Sequence, residues 1–536
     1  MKKLQIHDIA RDFVKQALKK GVSTRRDLQL LKNKFSVKYG ISHLSSIELL
    51  KAYEDLDLVD SVFEKLIRKR GVRSLSGIAS VTVMTKDYPC PGKCIFCPTE
   101  KDMPKSYLSN EPAVMRAILN DFDPYRQTVS RLKGLMKTGH PTDKIELIIS
   151  GGTFNFYPPR YQTDFVRGVF NGLNFDAGGV DKRGRGSRQR SLVEAQHVNE
   201  SAKHRCVGLS LETRPDYVNE SELVRFRKLG CTKVEIGVQC LDDEIYKMNK
   251  RGHTVSDVRK AMGLLKDAGF KINVHFMPNM YGSSLKKDLS MFKELFDDSD
   301  FRPDWLKIYP CVVVPGSKLV KIFEEGGHVP YTDSELIDLL VKFKEIVPEY
   351  CRITRLYRDI PAESIVGGSK ISNLRQYVQE EMGVRKKKCR CIRCREIKDD
   401  EYRDEDVKLV VREYDSSGGR EFFVAYEDVA NDRLIGYLRL RIPSQYFTGE
   451  KHWIGELSGS SIIREIHVFG QQIGLGGRDG AAGQHKGYGK KLIEEAARLT
   501  KSVGVPKLAV ISGVGVREYY RKLGFEDGGL YQFKKM

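Results

Sequence analysis

The chain has 536 residues, 40% of them hydrophobic and 30% charged. At about 150 residues per domain this implies roughly three to four domains, and the apolar content excludes wholesale disorder. Lys and Arg number 91 against 71 Asp and Glu, a formal charge of +20, which points to an acidic partner, nucleic acid first.

Residues 1–75 read as short helices carrying 17 Lys and Arg against 9 Asp and Glu. Ile9, Phe13, Ala17 and Leu18 fall on one helical face, and Thr24 followed by Asp27 is a capping signal for a second helix. A solvated face and a nucleic-acid-binding cap both fit this basic segment. Residues 76–350 alternate β-rich runs, at 78–84, 145–149, 207–211, 233–238, 272–276 and 305–309, with amphipathic stretches such as 256–268. This βα alternation predicts an α/β fold with a parallel sheet, and six strands suit an open, partial (βα)6-type barrel. Residues 181–190 interrupt it; five basic residues and two glycines there predict a surface loop. Residues 351–404 are a basic connector containing the run 385–395. Residues 405–536 predict a further α/β domain, with strands at 408–412, 421–426, 434–442 and 462–468. A glycine-rich turn, a helix at 490–500, a strand at 508–511 and a helix near 516–523 follow.

No window approaches the ~18 consecutive apolar residues of a membrane helix, so no membrane partner is expected. The residues after Met1 lack the apolar stretch of a signal peptide, which predicts a cytosolic chain with reduced cysteines. Of 11 cysteines, six sit in two tight clusters, which suits metal sites better than disulfides.

Cys90, Cys94 and Cys97 have the spacing C-x3-C-x2-C on a loop after the first strand. Three thiolates so placed grip one face of a 4Fe-4S cluster and leave one iron open to the amino and carboxylate groups of S-adenosylmethionine. A zinc knuckle is the alternative, but it wants a fourth ligand and none stands nearby. Later strand ends carry Gly151 and Gly152, Glu212 and Arg214, and Gln239. Together these read as a polar ring around the cofactor, because sheets of this kind place active sites at the C-terminal ends of their strands.

Gln484, Gly487 and Gly489 form Q-x-x-G-x-G before an amphipathic helix, a pattern that exposes backbone N–H groups to a pyrophosphate. With a strand before it and Tyr519-Tyr520-Arg521-Lys522-Leu523-Gly524-Phe525 after, it looks like a GNAT-type acyl-CoA domain; a Rossmann fold competes weakly. Cys389, Cys391 and Cys394 supply three more thiolates, and Cys311 is the expected fourth ligand of a closed zinc site. Cys206, Cys231, Cys240 and Cys351 read as core residues.

A radical-SAM cysteine triad joined to a GNAT domain closely resembles the family of the Elongator catalytic subunit, in its archaeal and bacterial single-subunit form. The resemblance runs from about residue 75 to 536, through segments 94–98, 151–154, 212–216, 235–239, 249–254, 464–470, 484–489 and 511–524. It implies a transferase that carboxymethylates carbon 5 of the wobble uridine in tRNA. In that mechanism a deoxyadenosyl radical takes hydrogen from the methyl of acetyl-CoA, the carbon radical adds to uridine, and the thioester is hydrolysed. The implied cluster ligands are Cys90, Cys94 and Cys97. The implied acetyl-CoA contacts are Lys144, Glu465, Ile466, His467, Val468, Tyr488, Gly489, Lys490 and Tyr520, with Lys144 and Tyr520 nearest the chemistry and Tyr519 packed against the fold. An electron donor for the cluster is also implied, and a homodimer is compatible with the sequence. The Cys389 cluster is not part of the eukaryotic pattern. Two further readings stay open: a protein lysine acetyltransferase with a structural iron–sulfur cluster, and a non-catalytic RNA-binding scaffold.

Overall fold

The computed structural model describes residues 6–56, 60–67, 77–176, 190–397, 402–470 and 487–536. Four helices, Ile6–Lys19, Arg25–Tyr39, Ser46–Glu54 and Ser61–Ile67, open the chain. They bury their apolar stripes against one another in a core of their own, where Phe13 meets Phe35 edge-on at 4.9 Å. The expected cap is present: the Asp27 backbone N–H donates to the Thr24 hydroxyl at 3.2 Å.

The next unit is an open parallel sheet in sequential order: β1 Ala79–Met84, β2 Lys144–Ser150, β3 Arg205–Thr213, β4 Lys233–Gln239, β5 Lys271–Phe276, β6 Trp305–Ile308 and β7 Arg352–Arg355. Helices such as Pro159–Leu173 and Val255–Asp267 cover its outer face with their apolar sides. The α/β half-barrel expected from the sequence is correct, but it has seven strands rather than six. The seventh is four residues long with an arginine at each end, so it carries no readable alternation. β1 and β7 are the two edges of the sheet.

The C-terminal sheet comprises β8 Val407–Ser416, β9 Gly419–Asp428, β10 Arg433–Ile442, β11 Ser460–Val468, β12 Lys507–Val510, β13 Glu526–Asp527 and β14 Gln532–Lys535, in the order β13-β14-β12-β11-β10-β9-β8. β11 and β12 run parallel and pair only over Ser460–Ile463 of β11. Beyond Ile463 the two strands no longer pair, which opens a cleft between them. The helix Tyr488–Ser502 packs its apolar face on β9, β10 and β11.

This domain sits against the N-terminal ends of the barrel strands, and the seam is charged yet fully buried. Arg464 donates to Asp304 and Glu421, each through Nη1 at 2.9 Å, and to the Phe270 carbonyl at 2.6 Å. Arg441 donates to Asp267 at 2.6 Å, and Arg439 to Glu465 at 2.9 Å and to the Tyr350 carbonyl at 2.7 Å. Close backbone approach completes the joint: a Cβ on Gly513 would lie 2.3 Å from the Val207 carbonyl oxygen of β3. Among the described residues no helix is long and apolar enough to cross a membrane.

Candidate active site

The cysteine loop leaves the C-terminal end of β1. It is tied down by Ile95, whose N–H donates to the Asn249 carbonyl at 3.2 Å and whose carbonyl accepts from Leu319 at 2.9 Å. Arg251 Nη1 donates to the Cys94 sulfur at 3.2 Å, and Arg214 Nη1 lies 4.0 Å from it. The hydrogen bond from Cys97 holds the Cys94 thiol well below its usual range; Arg251 and Arg214 add to this against the opposing effect of burial, and Cys97 is pushed up in return. Arg214 is itself clamped by Asp216, at 2.9 and 2.8 Å, and presses so close to the loop that a Cβ on Gly92 would lie 2.2 Å from its Nη1. Two guanidiniums thus stand ready to balance thiolate charge.

Glu212, at the end of β3, does more than line the site. Its carboxylate accepts from Ser150 Oγ at 2.9 Å, from the backbone N–H groups of Gly151 and Gly152 at 3.2 Å each, and from Tyr107 at 3.0 Å. It therefore fixes the Gly-Gly turn. That turn needs glycine: Gly151 has φ +139°, and a Cβ there would lie 1.9 Å from Thr85 Oγ1. Gln239 ends β4 at φ +78°, a strained conformation for a non-glycine residue, and its Oε1 is buried without a partner among the described residues. Three thiols on one loop, paired cations, a turn open to close backbone approach and an orphaned amide oxygen fit a cysteine-ligated cluster and an amino-acid-bearing cofactor.

A single cavity of about 1330 Å³ runs from this end through the barrel to the C-terminal domain. At one end it touches Cys90, Cys94, Cys97, Gly152, Glu212, Arg214 and Gln239; at the other, Glu465, Ile466, His467, Val468, Gly489, Lys490 and Tyr520. Lys144 also lines it, but at the start of β2, whereas Gly151 follows the end of that strand. The six residue steps of β2, at about 3.3 Å each, span roughly 20 Å between the two levels. Closed (βα)8 barrels usually fill their interior with layers of Val, Ile and Leu. Here the wall between the two ends includes Glu146, Lys233, Glu235, Asn273, His275 and Lys307.

In the C-terminal cleft, Gly487 caps the helix Tyr488–Ser502 at φ +76°, as the glycine pattern requires. Gln484, His485 and Lys486 lie outside the described residues. The Tyr488 ring turns onto Tyr426, with centroids 4.8 Å apart, and Tyr488, unlike Gly487, Gly489 and Lys490, does not line the cavity. Burial lowers Lys144 and brings His467 down to about 4. Against burial, Arg439 holds Glu465 below the usual carboxylate range, and Trp305 Nε1 also donates to it at 3.2 Å. The expectation for Tyr519 is corrected: it is 42% exposed, and its hydroxyl would lie 2.8 Å from a Cβ on Gly489, whereas Tyr520 is 4% exposed and rests edge-on against Phe525. The helix register turns Tyr520 inward and Tyr519 toward the cleft mouth.

The sulfur atoms of Cys389, Cys391 and Cys394 lie within 4.8 Å of one another, an arrangement able to hold a metal ion. Cys311 is not among them, contrary to expectation. It lies past the end of β6, where its N–H donates to the Pro278 carbonyl at 2.8 Å, and burial pushes its thiol up to about 12 in the barrel core. The surrounding basic run is less available than the sequence implies: Arg385 pairs with Asp338, Arg390 with Glu349, and Arg395, 2% exposed, with Glu427 and Asp432. Residues 181–189 of the basic loop lie outside the described residues. Arg251, Tyr107 and the interior charges were missed as site residues. Their signal is tertiary, because each sits far in sequence from the motif it serves.

The chain matches the radical SAM superfamily over residues 89–295, a radical SAM C-terminal domain over 303–383 and the acetyltransferase (GNAT) family over 391–525. It is 46% identical to the tRNA uridine(34) acetyltransferase of Methanocaldococcus jannaschii, covering 93% of this chain and 91% of that protein. It is 36% identical to Elongator complex protein 3 of Saccharomyces cerevisiae, covering 97% and 94%. The solved structure of an archaeal Elp3 from Methanocaldococcus infernus, lacking its N-terminus, superposes with a TM-score of 0.73 at 43% identity, over 86% of this chain and 100% of that one. A cysteine loop and an acyl-CoA cleft on one cavity, with relatives of this identity along nearly the whole chain, make the protein an enzyme of the Elongator complex protein 3 family.

Proposed function

We propose that the protein modifies the wobble uridine of tRNA by radical S-adenosylmethionine-dependent addition of an acetyl-CoA-derived carboxymethyl group to carbon 5. The observation that carries this reading is the one cavity shared by the cysteine loop and the acyl-CoA cleft. A protein lysine acetyltransferase would need its acetyl group presented to an outside peptide, whereas this cleft opens into the barrel. The name of the Methanocaldococcus jannaschii relative quoted above supports uridine 34 as the target.

When bound, a 4Fe-4S cluster with S-adenosylmethionine supplies an oxidant able to remove hydrogen from an unactivated methyl group. The chain's own groups do the rest. Cys90, Cys94 and Cys97 hold the cluster, with Arg251 and Arg214 balancing the charge at Cys94. Gly151 and Gly152, fixed by Glu212, let the cofactor's amino-acid end approach the backbone, and Gln239 offers its orphaned oxygen to that ligand. Lys144, Glu465, Ile466, His467, Val468, Gly489, Lys490 and Tyr520 line the acetyl-CoA end, and the enclosing walls limit water around the reacting carbon. Cys389, Cys391 and Cys394 hold a structural zinc ion at the joint between β7 and the C-terminal sheet. The basic N-terminal helices bind tRNA, an electron donor reduces the cluster, and the enzyme works in the cytoplasm.

The test is anaerobic incubation of the reconstituted protein with S-adenosylmethionine, acetyl-CoA and tRNA, followed by mass analysis of digested nucleosides. Carboxymethyluridine that requires all three components is expected. Acetylation of a lysine peptide with no nucleoside product would overturn the reading.

A further inference from the structure

The two ends of the cavity stand roughly 20 Å apart along β2, so an acetyl group bound at the C-terminal domain is out of reach of the cysteine loop. The polar interior supplies a route. On the inward faces of β4, β5 and β6, Glu235 accepts from His275 Nε2 at 3.1 Å and from the Lys307 ammonium, while its other oxygen accepts from Ser210 at 3.3 Å. His275 and Lys307 are adjacent partners across β5 and β6. Their side chains remain 15% and 13% exposed, and that exposure is to the cavity they line. Burial and the neighbouring Lys307 lower His275, and against burial Glu235 holds Lys307 above its usual range. The carboxylate already accepts three donors, whereas the ammonium has three donors and commits one to Glu235.

One step toward the C-terminal domain, Asn273 is 1% exposed and lines the cavity, and its Oδ1 has no partner among the described residues. Next in line is Trp305, paired across the strands with Asn273 and bonded to Glu465 of the acyl-CoA cleft. From the cleft inward, the wall therefore offers an unfilled acceptor and then an unfilled cationic donor, two residues apart in register. The end of an acyl-pantetheine arm presents the complement in the same order: an amide N–H, two methylenes and a sulfur, then the thioester carbonyl. Buried charge of this kind gains little stability over apolar packing, so a fillable barrel that keeps it is built for a ligand.

Resting on the proposed use of acetyl-CoA, we infer that the pantetheine arm threads the barrel, with Asn273 accepting from its terminal amide and Lys307, held by Glu235, donating to the thioester carbonyl. Lys307 and Asn273 are then positioning residues that carry the methyl group to the cysteine end.

Binding of acetyl-CoA and of S-ethyl-CoA, which lacks the carbonyl, is measured by calorimetry on the full chain. Wild type is expected to favour acetyl-CoA by about ten- to hundredfold, the effect of a charged hydrogen bond. Lys307→Met is expected to bind both alike, near the ethyl value. A second measurement uses wild type alone: the infrared stretch of carbon-13-labelled thioester carbonyl should move to lower frequency on binding. Equal affinities in wild type, discrimination that survives in Lys307→Met, or an unmoved carbonyl stretch would each overturn the inference while leaving acetyl-CoA as the ligand. No binding of acetyl-CoA at all would overturn the underlying reading and the inference with it.

Discussion

Arg464→Met removes the central cation of the seam between barrel and C-terminal domain without opening a large void. Arg464 is fully buried and serves Asp304, Glu421 and the Phe270 carbonyl. Taking one partner from a buried ion pair costs about 3–5 kcal/mol. Asp304 keeps Arg439 at 3.6 Å and Glu421 keeps Arg441 at 3.1 Å, so the lower end applies. The orphaned carbonyl adds about 1 kcal/mol. A loss of about 4 kcal/mol moves the equilibrium for opening the seam by several hundredfold. The chain's two tryptophans report on it: Trp305 bonds to Glu465, and Trp453 stacks on His452, which bonds to the Asp267 carbonyl. Guanidinium titration followed by tryptophan emission should show a lower midpoint in the variant. The difference should shrink in acid. Against burial, Arg464 and Arg439 hold Asp304 well below the usual carboxylate range, so its contribution is full above about pH 4 and fades as pH falls toward its folded value. A loss below about 1 kcal/mol would refute the claim that these buried charges lock the two domains together.

Gly151→Ala should keep cluster absorbance but weaken S-adenosylmethionine binding by at least about tenfold, because the added Cβ meets Thr85 at 1.9 Å and displaces the turn that Glu212 holds; equilibrium binding to reconstituted protein checks it. Cys391→Ser should lower bound zinc from one ion per chain to none by elemental analysis and reduce thermal stability, while leaving the 4Fe-4S absorbance in place. Lys266, fully buried with its ammonium 2.8 Å from the Arg302 carbonyl, is brought down to about 7 by burial. The unfolded chain therefore binds the extra proton between about pH 7 and 10, so wild-type stability should rise with pH across that window, and Lys266→Met should flatten the rise when unfolding is followed at several pH values.

The motifs were legible wherever chemistry forces residues to be close in sequence. Three thiols on one loop, the Gly-Gly turn and the glycine-rich helix start are local solutions, and the structure places Cys94, Gly152, Glu212 and Gln239 on the same cavity. What escaped was set by tertiary contact. Arg251 reaches Cys94 across 157 residues, and Lys307 reaches Glu235 across 72, with only strand register to connect them. β7 was hidden by its shortness and its arginines. The Cys311 assignment failed because spacing cannot tell which side of a strand end a thiol faces. The basic run at 385–395 misled because charge alone does not show pairing, and Arg395 spends its charge inside the seam.

The acetyl methyl group is expected to meet the radical chemistry inside this single cavity. The most direct measurement uses acetyl-CoA deuterated at the methyl carbon, incubated anaerobically with reconstituted enzyme, S-adenosylmethionine and tRNA, with 5′-deoxyadenosine then analysed for label. Deuterium in 5′-deoxyadenosine, together with carboxymethyluridine that has lost one deuterium, is the predicted result. Modified uridine that retains every methyl deuterium, with unlabelled 5′-deoxyadenosine, would contradict it.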